Sequence, residues 1–327
     1  MTLTTSQVQP GQTLPLMVHP DENGAELTRF ARAHRDQLDA ALIEHGALLF
    51  RGFGIDTPDR MAEAAAALCT ELFDDNGEHA HDAVAKNVYT PVEYSATAKL
   101  LWHTENSFNH RWPSRLLFAS AQPARTGGQT PLVDNRRVWR ALDPQLRSRF
   151  AAAGVTYARS YGTGVGLDWQ QIFRTGDRAE VEGILKENYF EWEWLADGGL
   201  RTRAHRPAAV RHPGSGEPCW FAQLAHWHPA CLDPDTREAL ESLFGEDELP
   251  RNCFLGSDER IPDDVMTSLL EVYEHCEVSF DWERGDLLLV DNVLVSHARE
   301  PYTGDRTLLV SLGDMLSFAD VDAVGTD

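Results

Sequence analysis

The chain is short of positive charge: 29 Lys and Arg stand against 51 Asp and Glu in 327 residues, a formal net charge of −22. Such a surface repels phosphate backbones and anionic lipid, which argues against nucleic acid or a membrane face as a partner. Long hydrophobic runs are missing as well, and nothing approaches the about 18 consecutive apolar residues of a membrane span. The segment from Met1 to Pro20 has neither a basic start nor an apolar stretch, so nothing marks it for export and a cytoplasmic location is expected. Cysteine is scarce: Cys69, Cys219, Cys231, Cys253 and Cys276 form an odd set with no C-x-x-C pair and no zinc-like spacing, and reduced thiols are expected. Repeats and low-complexity tracts are absent. What is present is 42% hydrophobic, enough for a sizeable core, in a length that suits one large domain with long insertions.

Residues 1–22 read as a tail, rich in Gln, Thr, Pro and Gly with no apolar period. A single domain is expected over residues 23–315, followed by an acidic, frayed tail over 316–327. Leu27, Phe30, Leu38, Ala41 and Leu42 recur at helical spacing before the pattern changes at His45-Gly46 into the short apolar run Ala47 to Phe53. Thr57-Pro58 reads as the cap and first residue of a second helix. Further helices are expected over Asp134 to Ala153, Asp235 to Phe244 and Asp263 to Cys276. Strand candidates are Leu116 to Ala119, Trp220 to Gln223, Leu287 to Asp291 and Thr307 to Leu312. Strands separated by long, partly helical excursions suggest a β core decorated by helices.

The chemistry concentrates in two places. In Leu101-Trp-His-Thr-Glu-Asn-Ser-Phe108, His103 and Glu105 are two apart, and on an extended strand they would face the same side. Far along, the buried-strand pattern Gly285 to Asn292 leads to His297, then to a turn at Pro301-Tyr-Thr-Gly304 and to Arg306. A hairpin centred near Pro301-Tyr302 would make His297 and Arg306 cross-strand neighbours on one sheet face. Two imidazoles and a carboxylate form the facial triad of a non-haem Fe(II) oxygenase, with positions left open for a chelating co-substrate and O₂. A nearby Arg outside the ligand set suits the remote carboxylate of a diacid.

With these residues in hand, the chain resembles the taurine dioxygenase-like (TauD/TfdA) oxygenases that use Fe(II) and 2-oxoglutarate. The likeness rests on His103-Thr-Glu105, Gly127-Gly-Gln-Thr130, Gly285-Asp286, Asp291-Asn292, His297-Ala-Arg299, Pro301-Tyr302 and Gly304-Asp-Arg306, and it runs from about Leu38 to Met315. It is nearest to the clavaminate-synthase-like branch, and there to the amino acid hydroxylases of nonribosomal peptide pathways. The resemblance implies a double-stranded β-helix (jelly roll) core with flanking helices. It makes His103, Glu105 and His297 the iron ligands, with Arg306 and Thr130 on the carboxylates of 2-oxoglutarate. It implies hydroxylation of an unactivated C–H in an amino acid or amino-acid derivative, free or tethered to a peptidyl carrier protein. Desaturation, epoxidation and ring closure are alternative outcomes of the same chemistry, and a non-catalytic binding protein is a more distant one. Two departures are visible: the family's His-Gly-Arg is His297-Ala-Arg299 here, and Trp-Phe-Asn-Gln is Trp220-Phe-Ala-Gln223.

Other features have plainer readings. His226-Trp-His228 has the same spacing as a ligand pair but no adjacent carboxylate, and is read as pocket wall or surface. His79-Ala-His81 lies in a polar, acidic run and is read as an exposed loop. Between Arg111 and Phe150 there are eight Arg and two acids, a local positive field that could draw in anions. Arg299, Arg203 and Arg206 are the candidates for a substrate carboxylate. The sequence gives no signal of oligomeric state.

Overall fold

The computed structural model describes residues 3–22, 24–73, 83–91, 94–162, 164–246 and 248–325. Its largest element is an eight-stranded sheet in the order Thr4–Gln7, Leu16–His19, Ala47–Phe50, Leu287–Asp291, Arg111–Gln122, Thr307–Ser317, Val88–Tyr89, Ala83–Ala85. The central strand Leu287–Asp291 is buried along its whole length and pairs antiparallel on both sides. A run of Leu-Leu-Leu-Val suits that position because neither face meets water. Successive side chains point to opposite faces: Leu287 and Leu289 pack with Leu38, Leu42, Met61 and Leu68 of the N-terminal helices, whereas Leu288 and Val290 pack with Leu132, Val293 and Val295 on the other side. Each such side chain contributes about 1.5–3 kcal/mol when fully buried.

Opposite the large sheet lies a four-stranded one, in the order Glu277–Val278, Leu132–Asp134, Val295–Arg299, Leu100–His103. A five-stranded sheet, Glu191–Trp194, Leu200–Arg206, Val155–Tyr161, Arg251–Leu255 and Glu259–Arg260, extends the molecule. Helix Asp263–Cys276 packs Met266, Leu269 and Tyr273 into the core that joins this sheet to Trp102 and Trp220. Among the described residues no helix is long and apolar enough to cross a membrane.

The termini differ from the tails that composition suggests. Leu16–His19 joins the large sheet parallel to Ala47–Phe50, with Met17 and Val18 buried, and Thr4–Gln7 pairs beside it. At the other end the strand Thr307–Ser317 passes beyond residue 315, and Val324 is buried with its N–H donating to the Ala209 carbonyl. Few apolar residues occupy either segment, so a search for hydrophobic period misses them; the backbone ladders hold them instead. Two expected single helices are pairs. Leu27–Ala33 and Arg35–His45 break at His34, and Asn135–Ala141 and Pro144–Ala153 break where Asp143 caps the second helix, since a residue before proline disfavours helical geometry. Thr57 caps helix Pro58–Leu68 as expected, accepting from the Arg60 N–H. Of the Trp220 to Gln223 candidate only Trp220 is strand, as the last residue of Pro218–Trp220; Leu224–His226 then coils into a short 3₁₀ turn.

Candidate metal centre

His103 ends the strand Leu100–His103 and stands directly across the ladder from His297 on Val295–Arg299, with ring centroids 4.2 Å apart. The cross-strand register therefore brings two imidazoles separated by most of the chain onto one sheet face. Glu105 is not on that strand. It sits in the turn that follows, where Asn106 takes a left-handed backbone (φ 59°), and the turn carries the carboxylate back toward the two rings. His103 Nε2 lies 4.0 Å from Glu105 Oε2, and ligating atoms of His103, Glu105 and His297 all fall within 4.8 Å of one another.

The protonation pattern fits a cation held between them. His103 Nδ1 donates to the Leu101 carbonyl at 2.9 Å, which fixes the tautomer and leaves Nε2 with its lone pair toward Glu105. His297 Nδ1 is buried with no hydrogen-bond partner, and burial lowers its imidazole to about 3, so it is neutral. Burial with no opposing charge pushes Glu105 up to about 7. A carboxylate in that situation lacks a counter-charge, and a divalent ion supplies one. Two neutral nitrogens and one carboxylate oxygen suit Fe(II).

Glu105 is aimed by its backbone. The fully buried Asn292 side chain accepts from the Glu105 N–H at 2.8 Å and donates to the Glu105 carbonyl at 2.9 Å and the Pro113 carbonyl at 2.8 Å. Asp291 holds the same corner, accepting from the N–H groups of Val293 and Leu294 and bonding His212 Nε2 at 3.0 Å. The sequence pattern singles out Asp291-Asn292 without revealing this role.

The three groups line a cavity of about 1100 Å³ whose wall also includes Phe108, Phe118, Thr130, Gln223, His226, Arg251, Arg299 and Arg306. Arg306 is half-buried but does not reach the cavity from a hairpin with His297. The strand after the turn leaves for the large sheet, pairing with Arg111–Gln122, while Tyr302–Thr303 pairs with Thr126–Gly127. His297 and Arg306 thus meet across the cavity from different sheets. Arg306 Nε donates to the Gly128 carbonyl at 3.2 Å and its guanidinium stacks 5.4 Å from the Tyr302 ring centre. Burial brings it down to about 10, still cationic at neutral pH. The Gly127-Gly128 pair permits this closeness. A Cβ at Gly127 (φ 70°) would lie 2.0 Å from the Pro301 carbonyl oxygen, and one at Gly128 would crowd Arg306 Cδ and Nε at 3.1 Å. Thr130 is buried beside them, its hydroxyl accepting from Trp282 Nε1 at 3.1 Å.

The arginine candidates separate. Arg299 lines the cavity, yet its guanidinium donates to the carbonyls of Tyr94 (3.2 Å), Ser95 (2.5 Å) and Ala98 (2.7 Å), holding residues 94–98 against the wall. Arg203 and Arg206 are not part of the wall, which corrects their selection. Arg203 turns to the Ser257 carbonyl and Asp258, and Arg206 is buried as a brace, donating to the carbonyls of Phe108 and Asn188. Both lie in a stretch without acids, 200–213, but β-strand alternation sends Arg203 outward and Arg206 into the core. The arginines of residues 111–150 are largely neutralised: Arg115 by Asp39 and Asp314, Arg136 by Asp134 and Glu217, Arg149 by Glu259. His226 is pocket wall as read, its ring 4.3 Å from His103 and its Nε2 donating to the Leu101 carbonyl that His103 also uses. His228 points away, toward the Ile261 carbonyl. Gln223, the last residue of the Trp220-Phe-Ala-Gln223 motif, is part of the wall, and Arg251 is a wall residue that the motifs do not reveal. His79-Ala-His81 lies outside the described residues.

Comparison with known proteins agrees with this geometry. Residues 9–312 match the family model for the taurine catabolism dioxygenase TauD, TfdA family. The dapdiamide synthesis protein DdaC of Enterobacter agglomerans is 36% identical over 91% of this chain and 90% of its own. A clavaminate synthase-like protein of Arabidopsis thaliana is 28% identical over 87% and 86%. The solved structure of PvcB from Pseudomonas aeruginosa superposes with a TM-score of 0.57 at 14% identity, covering 95% of this chain and 90% of PvcB, a likeness of fold. A match of that extent leaves one assignment: the chain belongs to the TauD/TfdA family and is an Fe(II)- and 2-oxoglutarate-dependent dioxygenase.

Proposed function

We propose that His103, Glu105 and His297 hold the iron, that Arg306 grips the distal carboxylate of 2-oxoglutarate with the Thr130 hydroxyl on a co-substrate carboxylate, and that the enzyme hydroxylates an unactivated C–H of an amino acid or amino-acid derivative in specialised metabolism. The observation that carries this reading is the convergence of the three ligating groups within 4.8 Å on the wall of a cavity that Arg306 and Thr130 also line. The substrate class draws on the relatives: one is named for dapdiamide synthesis, and PvcB is described as an Fe, alpha-ketoglutarate dependent oxygenase from an isonitrile synthetic pathway. We further read the two facing sheets as the walls of a double-stranded β-helix, and residues 23–315 as one catalytic domain onto which both termini fold. Five free thiols, four of them buried, support a reducing cytoplasm.

Bound iron and 2-oxoglutarate supply the oxidising power: 2-oxoglutarate loses CO₂ to become succinate, and the two atoms of O₂ end in succinate and in the hydroxylated product. The chain's own part is placement. Arg306 offers a planar fork that orients the diacid. The His103 N–H to Leu101 bond fixes which nitrogen faces the metal, and Asn292 fixes the carboxylate. Phe108, Phe118, Leu308 and Val310 make the wall apolar, which excludes water and holds a C–H near the metal. The test is anaerobic addition of Fe(II) and 2-oxoglutarate, which should raise a weak visible charge-transfer band. Glu105→Ala should lose band and hydroxylation together, and Arg306→Ala should recover both only at higher 2-oxoglutarate. A band of wild-type strength in Glu105→Ala refutes the ligand assignment.

A further inference from the structure

Thr130 is buried on the cavity wall, and its backbone is fixed on both sides: the Gln129 carbonyl accepts from the Glu300 N–H and the Pro131 carbonyl from the Ala298 N–H. The residue therefore stands alongside the strand that carries His297. Its hydroxyl holds one proton and two lone pairs. Among the described residues the one side-chain group bonded to it is the Trp282 indole, whose Nε1 lies 3.1 Å away. An indole N–H donates and cannot accept, so this bond has a single polarity. Trp282 takes up a lone pair and leaves the hydroxyl proton unspent, on a residue whose open side is the cavity.

Trp282 itself is not part of the wall. It lies in the loop 279–286 between the strands Glu277–Val278 and Leu287–Asp291, half-buried, with its ring edge-on to Phe280 at 4.9 Å. The loop is bolted in place on either side of the indole. Gln129 Nε2 donates to the Asp281 carboxylate at 2.9 Å, which ties the residue before Trp282 to the residue before Thr130. The Arg51 guanidinium donates to the Asp281 carbonyl at 2.8 Å and pairs with the buried Asp286, whose carboxylate also accepts from the Glu283 N–H. These bonds fix where the indole N–H points, and it points at one hydroxyl.

We propose that Trp282 is a positioning residue for the co-substrate: by occupying a lone pair of Thr130 it makes that hydroxyl an obligate donor into the cavity, toward a carboxylate of 2-oxoglutarate. This rests on the reading of Thr130 given above and adds the residue that acts through it. A carboxylate only accepts, so a hydroxyl that presented its lone pairs to the cavity would repel it. A hydroxyl that already accepts one hydrogen bond is also polarised into a stronger donor of the next. Without the indole the Thr130 proton is free to rotate, and both advantages are lost while the hydroxyl itself remains.

The experiment is a binding measurement and needs no turnover. Full-length enzyme loaded anaerobically with Fe(II) is titrated with 2-oxoglutarate, the visible charge-transfer band giving the Kd, and Fe(II) affinity without 2-oxoglutarate is measured by competition with a chromophoric chelator. Wild type, Trp282→Phe, Thr130→Val and the double variant are compared. Thr130→Val should raise the Kd for 2-oxoglutarate roughly 10- to 100-fold, the range of a hydrogen bond to a charged group. Trp282→Phe keeps a ring against Phe280 but has no N–H, and should raise it about 3- to 10-fold, the range of one neutral hydrogen bond. The double variant should bind no more weakly than Thr130→Val alone, because an indole that acts through the hydroxyl has nothing to act on once the hydroxyl is gone. Fe(II) affinity without 2-oxoglutarate should be the same in Trp282→Phe as in wild type, and Trp282→His, which retains a ring N–H, should recover part of the loss. Losses that add in full in the double variant, or a Trp282→Phe that weakens Fe(II) as well, mean that the indole acts by packing and overturn the inference. So does wild-type affinity in Trp282→Phe when Thr130→Val is weakened. Wild-type affinity in Thr130→Val refutes the reading of Thr130 itself, and the inference falls with it.

Discussion

Removing the Asn292 carboxamide should damage the metal centre without touching a ligand. In Asn292→Ala the Glu105 N–H loses its acceptor, and the carbonyls of Glu105 and Pro113 lose their donor, all at a fully buried position. Each hydrogen bond contributes about 0.5–1.5 kcal/mol net, and each buried backbone group left without a partner costs about 1–3 kcal/mol. Water entering the vacated space recovers part of this, so about 3–5 kcal/mol is expected for the whole. At about 2–4 °C per kcal/mol for a large domain, the melting temperature should fall by about 6–20 °C. Asn292→Asp is the sharper variant. It keeps the acceptor for the Glu105 N–H but sets carboxylate oxygen against two carbonyls, which raises the new carboxyl's folded pKa above its unfolded value. The folded state then binds the proton more tightly, so this variant should gain stability relative to wild type as pH falls from 7 toward 4. Because the amide orients Glu105, Fe(II) affinity in the presence of 2-oxoglutarate should weaken about 10- to 100-fold. Melting followed by circular dichroism and anaerobic Fe(II) titration check both outcomes. If Asn292→Ala melts with wild type and binds Fe(II) equally well, the clamp has no energetic role and the reasoning fails.

Arg51→Met should strand the buried Asp286, whose two oxygens accept from Arg51 Nε at 3.0 Å and Nη2 at 2.6 Å; about 3–5 kcal/mol of destabilisation is expected in urea unfolding, and Arg51→Met with Asp286→Leu should be less destabilised than Arg51→Met alone. Gly127→Ala should push the Pro301 carbonyl away and displace Arg306, raising the 2-oxoglutarate requirement; an unchanged KM for 2-oxoglutarate in a folded variant would show that the close approach is not needed. The thiols should be inert in the native state, since burial pushes Cys69 up to about 12 and Cys231 up to about 11; reaction with a thiol-specific dye at pH 8 should be slow until the chain unfolds, and rapid labelling of Cys69 would contradict its burial.

The cluster of His103, Glu105 and His297 was legible as a candidate metal site because ligand chemistry is written in residue type and spacing. The route to it was not. Glu105 is two residues from His103, which suits an alternating strand, yet the strand ends at His103 and Glu105 lies in a turn whose backbone Asn292 holds. Arg306 follows a turn signature, but a turn does not state which sheet the chain joins next; that choice is made by Leu308, Leu309 and Val310 finding partners on Arg111–Gln122. Helix Pro58–Leu68 and strand Leu287–Asp291 were readable from a cap and from a solid apolar run. The break at Asp143-Pro144 was missed, although the cap and the proline stand side by side.

The stretch between His297 and Arg306 looks like a place where length would be forgiven, with a proline, a glycine and exposed residues at 301, 303 and 304. It works instead as a fixed spacer. One of its ends is anchored to each of two β layers, and Tyr302–Thr303 is stapled midway to Thr126–Gly127. Its contour sets the gap between the His297 imidazole and the Arg306 guanidinium, so on the proposed roles a single inserted residue would mistune the enzyme for its co-substrate while leaving both layers folded.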